Sequence, residues 1–211
     1  MSNFQTPQEE FWAGSFGDNY ADRNNTPLFH SCAVAAFAQM LKRASGITSV
    51  LELGPNIGMN IKALRTLLPA ADISCVEINA KAVGELNKIE GLTVHHKSIL
   101  SFEAPRTYDL VFTAGVLIHI NPDCLDKVYK LMRDASSRYV LVAEYYNPQP
   151  TFLMYRGHKD RLYKRDWAGE MMHRFPDLKM VDYGFFYHKD PVFPWDDTTW
   201  FLMEKRAGAP A

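Results

Sequence analysis

From residue 48 onward the chain alternates short apolar runs with amphipathic ones, and this rhythm constrains the fold more than any other feature. Ser49–Leu53 is an apolar run that leads into glycine, and Met59–Leu68 places Ile61, Leu64, Leu67 and Leu68 on one helical face before stopping at Pro69. Ile73–Ile78 reads as a second strand, Ala80–Ile89 as a helix closed by Gly91, and Leu92–Ile99 and Tyr108–Ala114 as the next two strands. Asn121-Pro122-Asp123 is a strong helix start: a capping side chain, a proline in the first turn, then an acid favoured by the helix dipole. Leu125, Val128, Tyr129 and Met132 face one way along that helix, and Arg138–Ala143 follows as a fifth strand. Strands that are apolar almost throughout need cover on both faces. The expectation is an α/β fold with a doubly wound, mostly parallel sheet of seven strands. Its last two strands, Met180–Tyr187 and Thr198–Lys205, lie about ten residues apart around Pro191 and Pro194, which predicts an antiparallel pair at one sheet edge.

Around this centre the chain is less regular. A long helix is expected from Pro27 to Ala44, ending near Gly46. Residues 1–26 are rich in Phe, Trp, Tyr, Gly and Asn without helical or strand periodicity, and they form a separate N-terminal segment ahead of the domain at 27–206. Residues 147–166 read as irregular, and Asp166 can cap a short helix over Trp167–Arg174, so 147–176 reads as an insertion. The tail at 207–211 reads as loose.

Composition excludes several classes of function. In 211 residues, 47% hydrophobic and 22% charged with a net charge of -1, there is material for one full core and no basic excess to favour nucleic acid. The polar, acidic start is unlike a secretory signal, and no apolar run is long enough to cross a bilayer. Cys32, Cys75 and Cys124 are far apart, and the histidines show neither HxxxH nor HExxH spacing, so no disulfide framework and no metal site are expected. A cytoplasmic protein, monomeric or homodimeric, is the expectation.

The first strand runs through Glu52-Leu53-Gly54-Pro55-Asn56-Ile57-Gly58 into a helix. Glycine at 54 and 58 lets such a turn approach a ligand, and Asn56 is among the few other residues that tolerate positive φ. Glu77 follows at the end of the second strand, about 23 residues after Gly54, a spacing that suits a ribose-binding acid. A tight strand-to-helix connection without a ligand is the plainer alternative. The G-x-x-x-G turn is poorly suited to the pyrophosphate of a dinucleotide, which usually sits on G-x-G-x-x-G.

On these residues the sequence resembles the class I S-adenosylmethionine-dependent methyltransferases, whose first motif is E-x-G-x-G-x-G. Glu52, Gly54 and Gly58 match it and Asn56 replaces the middle glycine. The resemblance continues through Val76-Glu77-Ile78, Ser98-Ile99-Leu100, Tyr108–Phe112 and Gly115–Ile120, and covers roughly 48–145 plus the closing strand pair. Phe11–Tyr20 with Arg23-Asn24, Gly115–Pro122, Glu144–Pro148 and Tyr163–Asp166 are similar to a narrower group, small methyltransferases associated with pseudaminic acid biosynthesis. That group points loosely to sugars, sugar nucleotides or other surface-glycan precursors.

The resemblance implies S-adenosylmethionine as cofactor and a small-molecule acceptor. It implies a cofactor site made of Trp12, Phe16, Tyr20, Arg23, Glu52, Gly54, Asn56, Gly58, Asn60, Glu77, Ile78, Asn79, Ser98, Ile99, Leu100, Gly115 and Val116. The third-strand end would flank the adenine and the fourth-strand end would face the methionine moiety. Trp12, Phe16 and Tyr20 would form a lid, with cation–π attraction to the sulfonium, or else pack on the sheet edge as core. Arg23 would pair with the donor carboxylate. His119 is the candidate base, as an imidazole near its ordinary pKa of ~6.5, or else it holds the strand-to-helix turn. Glu144 and Tyr146 end the fifth strand as further catalytic candidates, Glu144 orienting an acceptor or bonding a loop. Tyr145, Tyr155, Arg156, His158 and Lys164 are candidate substrate contacts. Arg156, Lys159, Arg161, Lys164 and Arg165 outnumber Asp160 and Asp166, which suits an anionic acceptor or simply a solvated loop. An RNA or protein methyltransferase and a non-catalytic cofactor-binding module are the rival readings.

Overall fold

A computed structural model describes residues 4–21 and 27–206. Its centre is a seven-stranded sheet in the order β3-β2-β1-β4-β5-β9-β8. Five strands are parallel: β1 (Ser49–Leu53), β2 (Asp72–Glu77), β3 (Leu92–His96), β4 (Tyr108–Ala114) and β5 (Ser136–Glu144). The last two, β8 (Leu178–Phe185) and β9 (Thr199–Lys205), run antiparallel, with β9 paired to β5 and β8 at the edge. The alternating apolar runs therefore become the doubly wound sheet that their pattern predicts.

Side-chain alternation along the strands divides the interior into two cores. Val50, Ile73, Leu110, Phe112, Leu141 and Trp200 face α3 (Pro27–Leu41) and α4 (Met59–Leu67), with Leu86 of α5 (Ala80–Leu86) joining them. Leu51, Leu53, Val76, Val111, Val140 and Met203 face α6 (Leu125–Ala135) and α7 (Trp167–Arg174). The α6 residues named from periodicity, Leu125, Val128, Tyr129 and Met132, are all buried. Asn121 caps a short 3-10 turn ahead of that helix by accepting from the Asp123 amide at 3.0 Å. Cys32 and Cys75 are buried, Cys124 is half-buried, and all three are free thiols. Among the described residues no three candidate ligands cluster for a metal, and no helix is long and apolar enough to span a membrane.

Two segments depart from the sequence expectation. The N-terminal segment contains two helices, α1 (Pro7–Ala13) and α2 (Ser15–Ala21). Both are too short to show a period, but α1 has a full capping box. Thr6 Oγ1 accepts from the Glu9 amide at 3.2 Å, and the Glu9 carboxylate accepts from the Thr6 amide at 2.9 Å. Residues 147–166 are not irregular. They hold an antiparallel hairpin, β6 (Thr151–Tyr155) and β7 (His158–Lys164), that forms its own two-stranded sheet. Its two-residue turn places Arg156 at φ 47 and Gly157 at φ 86, the primed geometry that fits strand twist. The insertion expected over 147–176 narrows to this hairpin, because Trp167, Ala168 and Met171 of α7 are core residues.

Candidate functional site

The strand order reverses between β1 and β4, the place where open α/β sheets leave a crevice beyond the carboxyl ends. A cavity of about 650 Å³ lies there, walled by the turns after β1, β2, β3, β4 and β5, by α1 and α2, by the hairpin and by the β8–β9 loop.

The turn after β1 carries three positive φ values, 76° at Gly54, 52° at Asn56 and 81° at Gly58. The two glycines serve different ends. A Cβ on Gly54 would meet Val116 at 2.7 Å, so this glycine lets the turns after β1 and β4 close on each other beside the cavity. A Cβ on Gly58 would strike Ile89 at 2.7 Å and Leu86 at 2.9 Å, so this one answers to packing around α5. Gly58 does not line the cavity, nor does Glu52, which is wholly buried beneath the turn. Glu52 accepts from Asn60 Nδ2 at 2.8 Å and thereby sets the Asn60 side chain that does line it. Burial pushes the Glu52 carboxyl up to about 8.

Glu77 ends β2 in the cavity wall. Its Oε2 accepts from the Asn56 amide at 2.9 Å and its Oε1 from the Asn79 amide at 2.8 Å. Burial raises its pKa, against the lowering effect of those amides. Ile78 and Asn79 follow it in the wall, and Ser98, Ile99 and Leu100 stand opposite, after β3.

The two N-terminal helices lie over this end and are fastened at three places. Asn79 Nδ2 donates to Asp18 Oδ1 at 2.8 Å and to the Trp12 carbonyl at 3.2 Å, while its Oδ1 caps α5. Ser98 Oγ donates to the Glu9 carboxylate. Gln8 donates to the Asp160 carbonyl at 3.1 Å and accepts from Asn121 at 3.4 Å. Trp12 and Tyr20 line the cavity, and the buried Trp12 Nε1 has no acceptor among the described residues. Phe16 does not line it. It stacks on Phe11 at 4.1 Å and meets Tyr155 and His158, which removes both Phe16 and His158 from the wall. Arg23 lies outside the described residues.

Beyond β4, Gly115 (φ 69°), Val116 and His119 line the cavity. Glu144 does not. It is fully buried at the end of β5 and accepts from the amides of Val116 and Leu117 at 3.0 Å and of Ile118 at 3.4 Å. Burial pushes this carboxyl up to about 7. The loop-holding alternative for Glu144 is the observed one, because its oxygens are occupied by the turn they hold. His119 lines the cavity and also takes the loop-holding alternative. Its ring lies between Trp12 at 4.6 Å and Tyr155 at 4.9 Å, and its Nδ1 donates to the Arg161 carbonyl. Burial pulls its pKa down to about 4, so it is neutral at pH 7 and a weak proton acceptor.

The far end carries Tyr145, Tyr155 and Arg156 in the wall. Among the described residues no carboxylate lies within ion-pair reach of Arg156. Tyr146 is turned away, 39% exposed and packed near Phe201, and Lys164 lies over the Tyr145 ring at 5.4 Å outside the wall. The remaining cations of the basic stretch are dispersed: Arg165 pairs with Glu170 at 2.7 Å and Arg161 lies over Phe11 at 5.2 Å. Sequence reasoning missed Thr6, Gln8, Glu9, Phe29, His188, Trp195, Asp196 and Thr198 as wall residues. The capping box was a usable signal for the first three. The β8–β9 loop offered only its prolines.

No protein-family model matches the sequence, and no curated protein matches it. Solved structures do match in fold. A plantazolicin methyltransferase in complex with SAH aligns with a TM-score of 0.67 at 12% identity, covering 94% of this chain and 94% of that one. The 1,6-didemethyltoxoflavin-N1-methyltransferase of Burkholderia thailandensis, with 1,6-didemethyltoxoflavin and S-adenosylhomocysteine bound, aligns at 0.68 and 11% identity over 97% and 92% of the two chains. The magnesium protoporphyrin IX methyltransferase of Synechocystis PCC 6803, with SAH bound, aligns at 0.67 and 12% identity over 94% and 97%. The chain shares the Rossmann-like fold of these enzymes across nearly its whole length.

Proposed function

We propose that this chain is an S-adenosylmethionine-dependent methyltransferase acting on a small acceptor. The observation that carries the reading is Glu77. Two backbone amides fix its carboxylate at the end of β2, in the wall of a nucleoside-sized crevice, where its remaining lone pairs suit a ribose diol. The site fits that donor better than a dinucleotide. Arg156 is the one Arg or Lys in the described wall, and it is presented by the hairpin rather than by the β1 turn where a pyrophosphate would sit. The orphaned Trp12 indole N–H offers a further polar contact under the lid.

When bound, the cofactor supplies a methyl group made electrophilic by the attached sulfonium. The chain's own part is to hold, align and dry the reaction. Glu77, the Gly54–Asn56 turn and Asn60 hold the donor, and Ile78, Ile99 and Leu100 give the base apolar cover. Glu144 fixes the Gly115–Ile118 turn, which would face the reacting end. The fastened α1–α2 lid excludes water, and alignment with dehydration supplies much of the rate enhancement in such a displacement. His119 presents Nε2 as a hydrogen-bond acceptor because its Nδ1 hydrogen is committed to Arg161.

Arg156 supports an anionic acceptor: a cation without a carboxylate partner among the described residues, presented by a turn in which a non-glycine residue is strained. A sugar or sugar-nucleotide acceptor agrees with that charge and with the narrower sequence resemblance. The dispersal of the other cations weighs against a polymer-binding groove. Calorimetric titration tests the reading: binding of S-adenosylhomocysteine with micromolar affinity and none of NAD is expected, and the reverse would sink it.

A further inference from the structure

One wall of the cavity is formed by the β8–β9 loop, which is well braced for a connection of its length. Phe186 donates to the Thr198 carbonyl at 2.9 Å, and Asp190 accepts from the amides of Val192 at 2.9 Å and Phe193 at 2.7 Å. On this loop His188 and Asp197 form a pair. The Asp197 carboxylate accepts from the His188 amide at 3.0 Å and meets His188 Nδ1 at 2.8 and 2.9 Å through its two oxygens. A carboxylate only accepts, so Nδ1 carries the hydrogen and Nε2 of the neutral ring is the bare nitrogen. His188 itself lines the cavity, beside Trp195, Asp196 and Thr198. Tyr145 joins them by donating to Asp196 at 3.2 Å.

Topology places this pair at the acceptor end. Thr198 precedes β9, which lies four strands from β2 in the sheet order, roughly 19 Å at the usual spacing between strands. A donor anchored at Glu77 and extended along the carboxyl ends would bring its reacting end toward β4, which would leave the ground over β5 and β9 to the acceptor. Base and orienting carboxylate in hydrogen-bond contact, at the edge of a cavity, is an arrangement that suits general-base catalysis. His119, tied to a carbonyl and pulled down to about 4 by burial, lacks such an orienting acid.

Resting on the donor assignment above, we propose that His188, oriented by Asp197, is the proton acceptor for a hydroxyl nucleophile bound beside Tyr145, Trp195 and Asp196, which makes the reaction an O-methylation. A neutral amine attacks through a lone pair it already has, whereas a hydroxyl gains most from losing its proton during attack. In the step, the acceptor O–H bond breaks and its proton passes to His188 Nε2. The oxygen forms a bond to the methyl carbon while the carbon–sulfur bond breaks and its electron pair stays on sulfur. The positive charge that arrived on sulfur ends on the imidazolium, which Asp197 stabilises. His188 is half-exposed, so that proton can pass on to water.

The test uses the full chain, methyl-labelled S-adenosylmethionine and matched anionic acceptors, sugar phosphates, sugar nucleotides and hydroxy acids beside their amino counterparts. Label is expected in hydroxyl members. His188→Gln should lower kcat by about 10²–10⁴-fold while S-adenosylhomocysteine affinity stays within about twofold. Asp197→Asn should cost a similar factor and, by ¹⁵N NMR of the rings, move the neutral His188 hydrogen from Nδ1 to Nε2, because an asparagine amide can donate to Nδ1. Label confined to amines, donor binding without label in any hydroxyl member, an unchanged kcat in His188→Gln, or an unmoved tautomer in Asp197→Asn overturns the proposal. Failure of S-adenosylhomocysteine to bind overturns the donor assignment beneath it, and calorimetry reads that outcome separately.

Discussion

Glu77 illustrates how a residue acquires a role from its neighbours. Two amides hold both its oxygens, so a diol bound there would meet a carboxylate that needs no reorganisation. Glu77→Ala should weaken S-adenosylhomocysteine binding by about 2–4 kcal/mol, roughly 30- to 1000-fold, as measured by calorimetry. His119→Ala should leave that affinity nearly unchanged and lower kcat on the order of tenfold, through lost positioning of the lid and hairpin it touches. Glu77 was legible because strand, turn, helix and second-strand acid follow one another in sequence. Glu144 was ambiguous for the opposite reason: its partners, Val116, Leu117 and Ile118, come from the neighbouring parallel strand's turn and leave no local mark. Phe16 and Trp12 looked alike in sequence, and only the packing of two short helices decided which ring met the cavity.

At the scale of elements, the sheet strands and α6 were readable because burial on a sheet face or along a helix imposes a period on many residues. The short N-terminal helices and the hairpin were not. Seven residues span barely two helical turns, and Arg156 occupies a turn position where asparagine or glycine is the usual signal. The lid's attachment can be tested without touching the cavity chemistry. Asp18→Ala removes one fastener while Asn79 still caps α5 through Oδ1. Hydrogen exchange across residues 7–21 should quicken severalfold, with the thermal midpoint of the sheet domain nearly unmoved. Slowed or unchanged exchange would show that the lid is held by other contacts.

For the molecule as a whole, two buried carboxyls tie stability to pH. Glu52 and Glu144 are raised to about 8 and about 7 when folded, above the 4.5 of an unfolded chain. The folded state therefore keeps protons that the unfolded state releases, and their contribution to stability declines as pH rises from about 4.5 to about 8. The thermal midpoint should fall across pH 5–8 by on the order of 10 °C, and Glu52→Gln should flatten that slope. An equal slope in the variant would mean that Glu52 titrates normally. Fold class and the Glu77 side of the crevice thus follow from periodicity and spacing, while the wall beside β9 depends on a loop whose shape only the assembled sheet edge dictates. The three fasteners of the N-terminal helices have a kinetic corollary. At a net ~1 kcal/mol for each hydrogen-bonded attachment, a state with all of them undone lies ~3 kcal/mol uphill and is occupied about once in 10² visits. If the cavity is entered beneath those helices, only that minor population admits or releases a ligand, which makes their opening a gate on entry and exit.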